Sequence, residues 1–290
     1  MKVMITGTEG FVGPYLIEEM KSHGHEVVGL TFSDFDICDT VALENCLQNE
    51  APEAVIHLAG LSGYEQCLKD PINTWNVNTL AVESLATLLA TICPGSRLLF
   101  VSSGKIYAPS STPLKEDDEL KPADFYALSK MAADIRLGQL DVDLTIIRAR
   151  AFNHTGPGQA LGFLCPDLID RLKKQEDEAG DMTLFLGSLS APVDLSDVRD
   201  VVRAYRLLVE TAPSGAYNVG QGSVITVADV VTLLEKVVGR SIKATEKGEW
   251  KRSYSETIRS SNIEKITLSC GWSPEIPLKE TLENMWKSVG

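Results

Sequence analysis

Three glycines near the N-terminus, Gly7, Gly10 and Gly13, form a GxxGxxG pattern. The pattern follows a short apolar run typical of a β-strand and opens a segment with helical periodicity. Glycines at such a turn let the backbone approach a pyrophosphate, which the free N–H groups and the dipole of the helix N-terminus attract. The turn therefore predicts a dinucleotide site contacted by Gly7, Gly10, Phe11, Val12 and Gly13. Glycines alone leave a plain strand–helix turn as the alternative.

Strand and helix patterns alternate through the first half of the chain. Apolar runs predict strands at residues 3–6, 25–31, 54–59, 97–102 and 144–148. Helical patterns fill the gaps, notably at residues 80–91 and 126–137. This alternation predicts an α/β fold with a Rossmann-type, doubly wound parallel sheet covered by helices on both faces. We assign residues 1–150 to this dinucleotide-binding domain.

Periodicity is weaker in the second half of the chain. Residues 153–159 are rich in Gly and Pro and are predicted to form a loop, whereas helical signals return at 167–174, 197–210 and 227–238. A strand is expected to end near Val219. We interpret residues 151–290 mainly as a smaller C-terminal substrate-binding lobe, with segments around 190–235 returning to the main sheet.

The end of the second predicted strand bears on the choice of cofactor. An acidic residue there would hydrogen-bond the ribose hydroxyls of NAD, and an Arg would hold the 2′-phosphate of NADP. Thr31, Phe32 and Ser33 supply neither. Because a missing carboxylate removes a repulsion, the sequence favours NADP(H), with NAD(H) as the alternative. Asp36 and Ile37 are expected near the adenine ring, and a simple loop turn is an equal alternative for them.

Tyr126 and Lys130 are four residues apart and share one face of a predicted helix. An isolated tyrosine, with a pKa of about 10, is a poor acid at neutral pH, but a nearby ammonium favours the phenolate and lowers that pKa. The pair can then move a proton to or from a carbonyl oxygen, and Ser103, after the fourth predicted strand, can hydrogen-bond the same oxygen. A YxxxK pattern alone usually marks a solvated helix face. Its combination with the glycine turn and the serine, in this order, argues against chance.

These three features resemble the extended short-chain dehydrogenase/reductases, the nucleotide-sugar epimerase/dehydratase group, over nearly the whole chain. Further matching segments are His57-Leu58-Ala59-Gly60, Asn76-Val77-Asn78-Thr79, Ser102-Ser103-Gly104-Lys105-Ile106-Tyr107 and Gly271-Trp272-Ser273-Pro274. The resemblance implies a catalytic set of Ser103, Tyr126 and Lys130, the last two also touching the cofactor. It implies further cofactor contacts at Leu58, Ala59 and Gly60. We interpret His57 as structural.

One segment narrows the expected reaction. The run Arg150-Ala151-Phe152-Asn153-His154-Thr155-Gly156-Pro157-Gly158-Gln159 resembles a loop of the GDP-4-keto-6-deoxymannose reductases, and Asp194 with Asp197-Val198-Arg199-Asp200 resembles a later segment of the same group. The chain departs from that pattern at Ala151, where Pro is usual, and at Val193, where Arg is expected. Dehydratases carry acidic residues just after the catalytic hydroxyl. Gly104 and Lys105 stand there instead, so elimination lacks its acid.

Two enzyme reactions remain, reduction of a 4-keto sugar nucleotide and 4-epimerisation. An epimerase must retain its NAD and return the hydride, so it should carry the ribose carboxylate that Thr31 does not supply. The sequence therefore favours the reductase, in GDP-mannose metabolism. A non-catalytic dinucleotide-sensing protein is a remote alternative, because such proteins typically lose the Tyr or the Lys.

A sugar nucleotide carries a pyrophosphate and so needs cationic partners. Arg199 and Arg252 are the proposed cations, Asn153 supplies an amide contact, and Ser103 touches the sugar. Each arginine is about equally well explained by a surface salt bridge. Residues 162–164 either line the base pocket or belong to the core.

The net charge of -13 argues against a nucleic-acid partner. No apolar run reaches the roughly 18 residues of a membrane helix, and no signal-peptide pattern is present. The six cysteines are scattered without metal-ligand spacing and are interpreted as reduced thiols, so a cytoplasmic location is expected.

The predicted helices at 80–91 and 126–137 resemble those that pair in the family's homodimers. Leu80, Leu85, Leu88 and Leu89 put apolar side chains on more than one helix face, which exceeds what a single sheet-facing stripe needs. We therefore expect a homodimer.

Overall fold

The computed structural model describes residues 1–34, 36–176, 180–247 and 260–289. Its strands are β1 (Lys2–Thr6), β2 (Glu26–Leu30), β3 (Ala54–His57), β4 (Arg97–Ser103), β5 (Thr145–Ala151), β6 (Asn153–Thr155), β7 (Met182–Leu186), β8 (Pro192–Val193), β9 (Leu195–Asp197), β10 (Gly215–Val219), β11 (Ile225–Thr226) and β12 (Ile242–Glu246). Its helices are α1 (Gly13–Ser22), α2 (Thr40–Glu50), α3 (Tyr64–Lys69), α4 (Pro71–Trp75), α5 (Ala81–Ile92), α6 (Phe125–Gln139), α7 (Leu164–Lys173), α8 (Val198–Thr211), α9 (Val227–Val238), α10 (Glu264–Cys270) and α11 (Leu278–Ser288). A π-helical segment, Asn76–Leu80, precedes α5, and a 3-10 turn, Gly104–Ile106, follows β4.

The main sheet has six strands in the order β2-β1-β3-β4-β5-β10, and every neighbouring pair is parallel. This confirms the predicted Rossmann-type α/β fold. The strand order reverses beside β1, because the chain runs outward to β2 and then returns to β3 on the other side. In open parallel sheets, ligands bind in the crevice at the carboxyl ends of the strands at such a reversal. The glycine turn after β1 and the ends of β3 and β4 therefore border one crevice.

Both faces of the sheet are buried under helices. On β1, Val3 and Ile5 pack with α1, α8 and α10, whereas Met4 packs on the opposite face with α2, α5 and α6. Neighbouring side chains in a strand point to opposite faces, so a sheet covered on both sides needs apolar residues at consecutive positions. That requirement explains the unbroken apolar runs in the sequence.

The second half of the chain contributes to two cores. One core lies apart from the main sheet and joins α7, α9 and α11 to β7 and β12, with Leu168, Leu184 and Leu282 fully buried. By contrast, α8 and β10 pack on the main sheet through Tyr205 and Tyr217. In the described ranges, no helix is long and apolar enough to cross a membrane.

The loop prediction for residues 153–159 is wrong at its start. Asn153–Thr155 forms β6, which pairs in parallel with β9 in the register Asn153 to Leu195. The pairing partner lies some forty residues further along the chain, so local composition carries no sign of it. Strand β5 also extends to Ala151, beyond its predicted end at 148, because β4 and β10 flank it on both sides.

Candidate active site

The glycine turn brings the backbone of β1 close to that of β3. Gly7 has a φ of +73°, and a Cβ at this position would lie 2.7 Å from the backbone N and Cα of Ala59. A Cβ at Gly13 would lie 2.2 Å from the carbonyl oxygen of Thr8. Any larger residue at either position would therefore push the turn open. The turn forms a compact cradle, and α1 begins from it with no side-chain cap on its first N–H groups, which fits a bound pyrophosphate.

Two carboxylates, those of Asp34 and Glu9, lie at the end of β2. The Asp34 carboxylate accepts hydrogen bonds from the backbone N–H of Thr31 at 2.6 Å and from its hydroxyl at 2.8 Å. These bonds lower the pKa of Asp34, so it is ionised. Glu9, within the glycine turn, accepts from the N–H of Phe32 at 2.9 Å. Residues 31–33 alone were expected at the strand end, so neither carboxylate was predicted there.

The loop after β2 places Asp36 and Ile37 differently. Asp36 is exposed, and its carboxylate accepts from the N–H of Cys38 at 2.9 Å, as in a simple loop turn. Ile37 is buried and packs with the core between the sheet and α5. The turn alternative therefore accounts for the local geometry, and an adenine contact through either residue stays a prediction.

Ser103, Tyr126 and Lys130 lie together at the carboxyl end of β4. Asp124 caps the start of α6 by accepting from the N–H of Ala127 at 2.7 Å, which fixes Tyr126 in the first turn of the helix. Ser103, the last residue of β4, hydrogen-bonds the Tyr126 phenol. The Lys130 ammonium, one turn along α6, donates to the carbonyl of Val101 at 2.9 Å.

The turn after β3 forms the floor of this crevice. The N–H of Leu58 donates to the Thr6 carbonyl, and Leu58 and Ala59 are half-buried. Gly60 is exposed, and a Cβ there would lie 3.2 Å from the Lys130 Nζ. A lysine ammonium beside an open glycine turn is suited to hold a ribose hydroxyl of a bound cofactor.

Burial controls the ionisation of Tyr126 and Lys130. It raises the pKa of Tyr126 to about 12, against the opposing hydrogen bond from Ser103. It lowers the pKa of Lys130 to about 8. The sequence led us to expect that Lys130 would lower the Tyr126 pKa. That expectation is not met in this structure, because desolvation dominates and the Lys130 ammonium bonds Val101 instead.

Asn78 makes contacts at this site that the sequence did not reveal. Its fully buried amide accepts from the N–H of Leu61 at 2.8 Å and donates to the Leu61 carbonyl at 2.9 Å and to the Ser129 hydroxyl at 3.0 Å. It thus ties the turn after β3 to the residue beside Lys130. Asn78 lies in the π-helical segment, a distortion often found at functional sites. The available signal was the Asn76-Val77-Asn78-Thr79 segment.

The residues predicted to contact the substrate lie in different environments. Asn153 is exposed at the start of β6. The Arg199 guanidinium bonds the Asp197 carboxylate at 2.8 Å and lies 3.3 Å from Glu280, so the salt-bridge alternative describes its geometry. Arg252 lies outside the described residues. Phe163, in the segment proposed for the base pocket, is 46% exposed.

The loop that follows β6 rests on the glycine turn and α1. The Tyr15 hydroxyl donates to the carbonyl of Pro157 at 2.7 Å. The rings of Phe11 and His154 stack with an interplanar angle of 7° and a centroid distance of 6.1 Å. The segment expected to bind the sugar therefore borders the turn expected to bind the cofactor.

Comparison with known proteins places this geometry in a family. The family model of the NAD dependent epimerase/dehydratase family matches residues 3–220. The chain is 28% identical to GDP-6-deoxy-D-mannose reductase of Pseudomonas aeruginosa, over 99% of this chain and 97% of that protein. It is 26% identical to UDP-glucose 4-epimerase of Mycolicibacterium smegmatis, covering 97% and 96%. The solved structure of RMD from Pseudomonas aeruginosa complexed with NADPH superposes with a TM-score of 0.89 at 25% identity, covering 99% and 98%. The chain is therefore an NAD(P)-dependent enzyme of the epimerase/dehydratase family, the extended short-chain dehydrogenase/reductases that its sequence resembles.

Proposed function

We propose that the protein reduces the 4-keto group of a nucleotide-diphosphate sugar with NAD(P)H, and that its substrate is most like GDP-4-keto-6-deoxymannose. The observation that carries this proposal is the grouping of Ser103, Tyr126 and Lys130 beside the glycine cradle. The full-length similarity to a GDP-6-deoxy-D-mannose reductase supports the substrate class. We further propose that residues 151–290 mainly form the lobe that binds the sugar nucleotide, with Asn153 near it.

In this proposal the bound cofactor supplies a hydride to the sugar carbonyl carbon. Tyr126 donates its phenolic proton to the carbonyl oxygen as negative charge builds there. Ser103 hydrogen-bonds the same oxygen and holds it in place. Lys130, beside Gly60, holds the nicotinamide ribose, and the cradle of Gly7, Gly10 and Gly13 holds the pyrophosphate.

The test is turnover with defined substrates. With NADPH and GDP-4-keto-6-deoxymannose, we expect loss of the reduced-nicotinamide absorbance and formation of one 6-deoxyhexose nucleotide in equal amount. Conversion of a UDP-hexose into its 4-epimer without net cofactor consumption would instead identify the 4-epimerase. Cofactor binding with no turnover on either substrate would identify the dinucleotide-sensing protein.

One observation favours the epimerase as the second candidate. The ionised Asp34 carboxylate at the end of β2 is the kind of group that binds the ribose hydroxyls of a retained NAD. Several similar proteins are named UDP-glucose 4-epimerase. The reductase stays ahead because the chain is 28% identical to the GDP-sugar reductase, against 25% to 26% for these epimerases.

For the cofactor we propose NADP(H), supported by the NADPH complex of the similar RMD structure, with NAD(H) also accepted. Asp34 then limits the preference for NADPH over NADH, because its negative charge repels the 2′-phosphate. In Asp34→Asn we expect the ratio of NADPH to NADH affinity to rise about fivefold, since a unit charge at about 4 Å in water is worth ~1 kcal/mol.

The measurement is fluorescence titration of both reduced cofactors. Glu44→Gln, an equal charge change on the exposed side of α2, is the control and should leave the ratio unchanged. An unchanged ratio in Asp34→Asn would show that the carboxylate lies away from the ribose. A wild-type preference for NADH above about tenfold, or 1.4 kcal/mol, would rule out the NADP(H) proposal.

We also propose a homodimer formed through α5 and α6. Two of the leucines predicted for this interface, Leu85 and Leu89, are fully buried in the protein's own core and so cannot contribute to it. Of the four predicted leucines, Leu80 is exposed, at 49%, and α6 adds Leu128 and Ile135 at 37% and 38%. Two copies of a helix pair with such a face can bury it as a four-helix interface.

Ile135→Glu should convert the dimer to a monomer, because it places a charge within an apolar contact. Analytical ultracentrifugation at micromolar concentration gives the mass. Leu268→Glu, on α10 and 80% exposed, is the matched control and should stay dimeric. A monomeric wild type would remove the dimer proposal.

A further inference from the structure

Lys105 is held beside the catalytic residues by a short, rigid turn. Its backbone N–H donates to the Ser103 hydroxyl at 3.2 Å in the 3-10 turn after β4. Gly104 packs against Phe152 so closely that a Cβ would lie 2.9 Å from the ring. The turn directs the Lys105 ammonium over the Tyr126 ring, 5.6 Å from its centroid.

The ammonium of Lys105 has different surroundings from that of Lys130. The side chain is exposed; its ammonium lies over the Tyr126 ring and also acts electrostatically on the Cys67 thiol. The Lys130 ammonium, by contrast, bonds the Val101 carbonyl and lies 4.8 Å from the centroid of the Phe100 ring. The two lysines of the site thus have different neighbours.

Other titratable groups surround the Tyr126 phenol. The Ser103 hydroxyl, from β4, favours its ionised form. Cys67 on α3 and Asp124 at the start of α6 both disfavour it, and Tyr205 on α8 interacts with it electrostatically. Two of these neighbours therefore oppose the negative charge that Tyr126 must carry once its proton has left.

We propose that Lys105 is the electrostatic partner of Tyr126. Its ammonium, over the face of the ring, stabilises the phenolate that remains when Tyr126 protonates the sugar carbonyl oxygen. This role rests on the proposed reduction. In that step the hydride forms the new C–H bond, the phenolic proton forms the new O–H bond, and the phenolate later regains a proton from water. Lys105 acts through Tyr126, so it is a positioning residue and contacts none of the reacting atoms.

The size of the effect follows from the geometry. A cation over an aromatic face at an exposed site changes the equilibrium constant for ionisation of the phenol about two- to fivefold, and more once ligands exclude water. Lys105→Met keeps the length of the side chain but removes its charge. The phenolate fraction of Tyr126 at a fixed alkaline pH should then fall about two- to fivefold. Lys105→Arg keeps the charge and should restore the wild-type phenolate fraction.

The first test needs no turnover. The phenol is followed by its NMR chemical shift in protein carrying 13Cζ-tyrosine, without ligands, at about pH 9 to 10, below the pKa of about 10.4 of a free lysine side chain, and Tyr126→Phe assigns its signal. Lys21→Met, on the exposed side of α1, makes the same change in net charge away from the site and should leave the titration unaltered. An identical Tyr126 titration in wild type and Lys105→Met overturns the proposal.

The second test is the pH profile of the reverse reaction, oxidation of the sugar alcohol, in which ionised Tyr126 is the base. Lys105→Met should shift the rising limb of kcat/KM to higher pH by about 0.4–0.7 unit or more, and Lys105→Arg should reverse the shift. A limb that stays in place contradicts the proposal. If the protein turns over no keto sugar, the proposed function fails, and the phenol titration still decides the role of Lys105 on its own.

Discussion

Replacing Tyr126 by Phe is expected to lower kcat by about 10²–10⁴-fold, the usual contribution of a general acid. The change removes one oxygen atom and leaves the ring in place, so cofactor affinity should hardly move. Tyr126 is half-buried, its phenol is hydrogen-bonded to Ser103, and desolvation raises its pKa to about 12, so it carries its proton throughout the physiological range. Turnover is measured at saturating cofactor and substrate, and cofactor affinity by fluorescence titration.

Tyr217→Phe is the matched control for Tyr126→Phe. Its hydroxyl donates to the carbonyl of Pro213 at 3.0 Å, next to β10, and it also loses a single oxygen atom. We expect kcat to stay near the wild-type value in this variant. Near-normal turnover in Tyr126→Phe would mean that Tyr126 is only a packed helix residue, and the catalytic assignment would lose its main support.

Lys130→Met is expected to damage both turnover and cofactor binding. Met retains an apolar stem over the Phe100 ring but has no ammonium to bond Val101 or a ribose hydroxyl. Loss of one charge-assisted hydrogen bond, about 1.5–3 kcal/mol, should weaken the cofactor about 10- to 100-fold. Turnover should fall by roughly 10²-fold, at the low end for a residue that supports proton transfer.

The pH dependence of cofactor affinity separates this role from a packing defect. Burial lowers the pKa of Lys130 to about 8, so the free protein loses the ammonium as the pH rises through that value. Wild-type affinity for the reduced cofactor should therefore fall above about pH 8. The affinity of Lys130→Met should be low and should not change with pH. A wild-type affinity independent of pH, together with unchanged affinity in Lys130→Met, would contradict the ribose contact.

Local patterns in the sequence predicted the main strands and helices and placed Tyr126 and Lys130 on one helix face. The strand–turn–helix around Gly7 depends on backbone freedom and on periodicity over a few residues, both of which are visible in the chain itself. Tyr126 and Lys130 share a helix face because of their spacing alone. Helix α9 has the predicted bounds, Val227–Val238, since a Thr–Asp capping box marks its start and Gly239 its end. The parallel sheet follows from the alternation of strands and helices.

Tertiary structure decided what surrounds each of these residues. Asp34 reaches the end of β2 by folding back onto Thr31, and Asn78 joins Leu61 to Ser129 across the fold. Burial, rather than the charge of Lys130, sets the pKa of Tyr126. The carboxylate of Asp197 forms an ion pair with the guanidinium of Arg199. Desolvation and pairing between distant segments depend on which atoms come within a few ångströms after folding, and no local window of sequence contains that information.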